Sequence, residues 1–124
     1  MMHWLAVAVG GALGSMARFA VSGWLYPVYG DRFPLPTLAV NVSGSIAMGV
    51  FYVLVAERAA LPAEWRSFLM AGLLGGFTTF SAFSLETLAL WQNGHLSLAI
   101  AYIVASVLLS VGGLALAVFV TRLI

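Results

Sequence analysis

Gly75 to Glu86 reads GGFTTFSAFSLE and lies inside an apolar run long enough to cross a membrane. Adjacent glycines, adjacent threonines, serines, phenylalanines and a glutamate are crowded into it. Lipid penalises free backbone groups and buried polar side chains. Glycine tolerates non-helical dihedrals. Threonine is β-branched and bonds backbone groups locally. The stretch therefore predicts a membrane helix that is broken near its middle, in the region 75–79.

The rest of the chain agrees with a membrane setting. Its 124 residues are 63% hydrophobic and 7% charged, whereas a soluble domain carries about 25% charged residues. A membrane-crossing helix needs about 20 mostly apolar residues. Segments at about 2–25, 36–56, 65–92 and 96–123 meet that length, so the expected fold is all-α: one integral membrane domain, 1–124, of four transmembrane helices. Pro27, Gly30, Asp31, Arg32, Pro34 and Pro36 mark a loop after the first helix. Residues 57–64 form a short polar connection, and Asn93-Gly94-His95 a tight turn. Trp4, Trp24, Tyr26, Tyr29, Trp65 and Trp91 fall near helix ends, where aromatic belts sit. The first helix lacks a positively charged n-region of Lys or Arg before its apolar run, and Arg18 follows that run, so it reads as a retained helix and not a secretory leader.

Charge constrains function and topology. The net charge of +1 suggests no nucleic-acid partner, and the absence of cysteine rules out disulfides and thiolate metal sites. With four crossings, Arg58, Arg66 and Arg122 collect on one side. Arg32, with Arg18 if it snorkels that way, lies on the other. So feeble a bias suits a chain inserted in both orientations as well as one with a single topology.

Polar residues at membrane depth carry the functional reading. Gly10, Gly14, Arg18 and Ser22 share a face of the first helix, and the glycines suit close helix approach. Arg18 either anchors neighbouring backbone or faces an aqueous vestibule. Asn41 shares a face with Ser45 and Met48; its amide either joins helices or meets a permeating species. Carbonyls freed at Gly75 and Thr78 would suit a hard cation such as sodium, unless the break is merely a kink. Phe77, Phe80 and Phe83 alternate with Thr79, Ser81 and Ser84. Phenyl rings are positive at their edges, so edges beside hydroxyls make an environment for a small anion. Glu86 either bonds across helices or sits at a pore mouth. Tyr102, Ser106 and Ser110 form a polar stripe on the fourth helix. Absence of HExxH, phosphate-loop and acidic-cluster patterns argues against an enzyme.

GGALGSMAR with Arg18, TLAVNVSGSIAMG with Asn41, and GGFTTFSAFSLE occur in that order. Together they resemble the signatures of the Fluc or CrcB family of small bacterial fluoride channels, over nearly the whole length. The resemblance implies an antiparallel, dual-topology homodimer in the bacterial inner membrane, exporting cytoplasmic fluoride passively through two pores. It implies that Phe80 and Phe83 present ring edges to fluoride and that Asn41 is the polar pore residue. Thr79, Ser84 and Ser110 would continue the hydroxyl track. The Gly75 and Thr78 carbonyls of both subunits would enclose a structural Na+ ion. Ala82 departs from members that carry a hydroxyl there. The rival reading is a proton-coupled transporter similar to small multidrug exporters, but those carry an acid in the first helix and this chain has none. A non-transporting assembly subunit would confine its polar residues to packing faces.

Overall fold

The computed structural model describes residues 1–29, 33–58 and 61–124. The loop expected at Gly30, Asp31 and Arg32, the middle of the 57–64 connection and the Tyr29 side chain lie outside the described residues. Met2–Pro27, Leu35–Glu57, Ala63–Gln92 and Leu96–Leu123 are each long and apolar enough to cross a membrane. The described residues contain no strand.

Helix α1 spans Met2–Tyr29 and contains Pro27, which the sequence assigns to a loop. A proline this close to the C-terminus removes one backbone bond, and its fixed φ suits a helix, so the helix carries two residues past it. Helix α2 runs Leu35–Phe51 with proline in its first turn, where the missing N–H has no helical partner to lose. It continues as a π-helical turn, Tyr52–Glu57.

The third span is segmented. Helix α3 (Ala63–Arg66) passes into a π-helical stretch, Ser67–Leu74, and then into the short α4 (Gly75–Phe77). Thr78 and Thr79 are extended, with φ/ψ of −88°/157° and −148°/115°. Helix α5 (Phe80–Gln92) restarts from Thr79, whose Oγ1 accepts the Ala82 N–H at 3.2 Å. The break therefore falls on the threonine pair and not on Gly75-Gly76; Gly75 itself is helical, at φ −61° and ψ −36°. Gly94 turns the chain at φ 82°, and helix α6 follows over Leu96–Leu123.

Packing depends on small residues. Helix α1 lies along the π-helical stretch and α4, and α2 lies along α6. A Cβ at Gly10 would lie 2.5 Å from the Phe68 carbonyl oxygen, and one at Gly49 would lie 2.6 Å from that of Leu114. Helices approach this closely only where no side chain intervenes. At one end of the bundle, Arg58 Nη2 donates to the Thr121 carbonyl of α6 at 2.9 Å. Beside it Arg122 donates from Nε and Nη2 to the two carboxylate oxygens of Glu57. These side chains are 54% and 32% exposed, so solvent screens the pair and it adds little to stability.

The largest fully buried side chains are Tyr102, Val40 and Val53. Tyr102 packs with Leu90 and Ala99, and against these lie Phe33, Leu38 and Phe83. In contrast, α6 exposes Ile100, Val104, Val107, Leu108 and Val111. Lipid or another chain must cover that surface.

Candidate functional site

The site is built around the interrupted third span. In a continuous helix the Thr79 N–H would bond the Gly75 carbonyl, and the Ala82 N–H would bond that of Thr78. Instead Thr79 N–H donates to Asn41 Oδ1 at 2.7 Å, and Ala82 N–H goes to Thr79 Oγ1. Asn41 also donates from Nδ2 to the Thr79 carbonyl at 3.1 Å. One amide thus takes both backbone groups of an extended residue, as a neighbouring β-strand would. Thr78 closes the preceding turn: its N–H and its Oγ1 each reach the Leu74 carbonyl, both at 3.0 Å.

Diverting those amides leaves the Gly75 and Thr78 carbonyls without their helical donors. Such oxygens are the donor type a hard cation takes, so these residues fit a sodium ion. Nearby, Arg18 Nε donates to the Gly76 carbonyl at 3.1 Å. Arg18 therefore anchors the backbone of α4 from the neighbouring helix α1.

Beside the break lies a cavity of about 300 Å³. Asn41 and Ser45 reach it from α2, Phe80 and Phe83 from α5, and Ser106 and Ser110 from α6, with Thr78 and Thr79 between them. The two phenyl rings are tilted at 49° with centroids 5.5 Å apart. Phe80 is 78% exposed on the isolated chain, so its ring projects beyond the chain's own fold. Ser106 Oγ is buried and has no hydrogen-bond partner among the described residues. An unpaired buried hydroxyl costs about 1–3 kcal/mol, and an anion in the cavity would satisfy it.

Of the residues expected to handle an anion, the structure brings Asn41, Thr79, Phe80, Phe83 and Ser110 to this cavity. Ser84 is not among its lining residues; its Oγ donates to the Phe80 carbonyl at 3.0 Å, back along its own helix. Within a helix that carbonyl is the nearest acceptor for a serine hydroxyl, which explains the departure. Glu86 lies further along α5 and accepts from the Tyr102 hydroxyl at 3.4 Å. The sequence places Ser106 in a polar stripe with Tyr102 and Ser110; of these the structure brings Ser106 and Ser110 to the cavity.

A family model described as "CrcB-like protein, Camphor Resistance (CrcB)" matches residues 5–119. The chain belongs to the CrcB family. Three relatives of almost the same length show the extent of the match. A protein of Saccharophagus degradans, "Fluoride-specific ion channel FluC", is 53% identical over 120 residues, covering 96% of this chain and 89% of the relative. Proteins with the same name from Granulibacter bethesdensis and Nitrobacter winogradskyi are 48% and 47% identical. The first alignment covers 98% of this chain and 96% of that relative, and the second covers 99% and 100%. Membership of this family, with its four apolar spans, makes the chain a multi-pass membrane protein.

Proposed function

We propose that this chain is a fluoride-selective passive channel of the bacterial inner membrane, which lets cytoplasmic fluoride leave and so gives resistance to fluoride. The carrying observation is the cavity beside the Thr78-Thr79 break, in a chain whose relatives are named as fluoride-specific channels. Fluoride is small, strongly hydrated and a strong hydrogen-bond acceptor. Removing its water needs replacement donors. Asn41 Nδ2 spends one N–H on Thr79 and has a second to offer. The Ser106 hydroxyl has no other partner, and Ser110 stands one turn away on α6. The rings of Phe80 and Phe83 supply positive edges, a weaker and drier contact. Ion flow requires sites that bind well enough for the ion to enter and weakly enough for it to leave. A mixed lining of hydroxyls and ring edges meets that condition.

The working unit in this reading is an antiparallel pair of identical chains with two pathways. The exposed ring of Phe80 and the apolar face of α6 support it, as does the near balance of arginines between the two sides. At the centre of the pair the Gly75 and Thr78 carbonyls of both copies would hold a structural sodium ion. When bound, that ion supplies fixed positive charge near the pathways. The proton-coupled alternative has less support, because Glu86 is in the third span and already accepts from Tyr102.

Fluoride and chloride efflux from liposomes carrying the purified protein tests the proposal. Rapid fluoride loss with negligible chloride loss is expected; chloride flux of similar speed, or no fluoride flux, would overturn it. Organic-cation uptake driven by a proton gradient would instead support the transporter. In the same assay, Phe80→Ile and Phe83→Ile keep bulk but lose the ring edge. Each is expected to slow fluoride by about tenfold or more while the dimer persists on size exclusion. Unchanged flux in both would remove the ring-edge argument.

A further inference from the structure

We propose that Phe33 is a positioning residue for the anion pathway, acting through the buried ring of Tyr102. The inference rests on the channel reading above. Phe33 stands just before α2 and is absent from the lining of the cavity beside the break. Its ring meets Tyr102 edge-on, at 5.5 Å between centroids and 78° between planes. Tyr102 in turn meets Phe83 at 5.1 Å, and Phe83 meets Phe80 at 5.5 Å. The connection before α2 is thus the outer end of a four-ring ladder whose inner rings line the cavity.

Tyr102 is the link. It is fully buried, in ring contact with both Phe33 and Phe83, and its hydroxyl donates to Glu86 at 3.4 Å. A hydrogen bond of that length is too weak to orient a ring alone, so packing against Phe33 and Phe83 must set the angle. Phe33 also borders a second cavity of about 580 Å³, which Glu86, Asn93 and His95 line with it. Without the Phe33 ring, Tyr102 has open volume to tilt into. Phe83 then loses its backing, and the Tyr102 hydroxyl loses its register on Glu86.

The test is a double-mutant cycle on fluoride efflux, using the full chain in liposomes. Phe33→Ala is expected to slow efflux about fivefold, the size that loss of one aromatic pair produces. If Phe33 acts through the Tyr102 ring, adding Phe33→Ala to Tyr102→Leu, which removes that ring, should slow efflux less than about twofold further. A merely structural role would give additive losses. Additive losses, or wild-type efflux in Phe33→Ala, would overturn the inference. Phe33→Leu fills the space without a ring and covers the case in which the alanine variant does not assemble. It is expected to show the same slowing and the same non-additivity, and wild-type efflux in it would equally overturn the proposal. The unmodified protein is run alongside: if it carries no fluoride the channel reading itself fails, whereas conduction by it with no response to Phe33 defeats only this inference.

Discussion

Fluoride efflux through Asn41→Ala is expected to fall about a hundredfold, the penalty that small misplacements of a working site incur. The variant is also expected to lose stability. Asn41 holds the Thr79 N–H at 2.7 Å and the Thr79 carbonyl at 3.1 Å. Thr79 is extended at membrane depth, where water does not replace a lost partner. Each buried backbone group left unpaired costs about 1–3 kcal/mol, so about 2–6 kcal/mol is at stake. The chain can recover part of this by closing the helix, giving the Thr79 N–H back to the Gly75 carbonyl. That relaxation erases the break and withdraws the carbonyl from any cation. Asn41→Asp separates the two effects. It keeps an acceptor for the Thr79 N–H but loses the donor and adds negative charge to an anion cavity. It should melt closer to the parent and conduct as poorly as Asn41→Ala. Thermal melting of the detergent-solubilised protein, read by size exclusion beside liposome efflux, checks both. Parent-like efflux in Asn41→Ala would show that the clamp on Thr79 is unnecessary for conduction.

Gly14→Val is expected to abolish assembly of the folded protein. A Cβ there would collide with the Leu73 carbonyl oxygen and come within 3.0 Å of the Phe77 amide nitrogen. Both neighbours are backbone, so no change of rotamer gives way. Forcing methyl groups into a tight interface commonly costs about 1–3 kcal/mol and occasionally more; here α1 would have to separate from the segment that carries the break. Gly23→Ala is the control, since nothing lies within 4 Å of the position its Cβ would take. The measurement is the yield and melting temperature of monodisperse protein. A Gly14→Val variant that purifies and melts like the Gly23→Ala control would contradict the packing argument.

Much of the site was legible because its residues are improbable in lipid. A polar amide at Asn41, hydroxyls interleaved with Phe80 and Phe83, and an acid at Glu86 stand out against an apolar background. Their helical spacing already places Asn41 and Ser45 on one face. Ser84 looked equivalent to Thr79 in the sequence, yet one caps α5 and lines the cavity while the other bonds its own helix. The two differ in backbone conformation. Thr79 is extended and Ser84 helical, and only a helical serine has the carbonyl one turn back within reach.

Four apolar spans, a broken third span and a set of candidate anion contacts are properties of the sequence by itself. Span length answers to bilayer thickness and burial cost to residue type, and both can be read locally. Where the break falls is not local. Gly75-Gly76 is the more permissive pair, but permissiveness only lowers the cost of bending. The tertiary structure puts the break at Thr78-Thr79 because Asn41, 38 residues away, supplies both hydrogen bonds that an extended residue needs. It also stacks Phe33, Tyr102, Phe83 and Phe80 from three parts of the chain into one ladder. Partners so distant in sequence meet only when α2, α5 and α6 have packed, so which polar group satisfies which is decided by the fold.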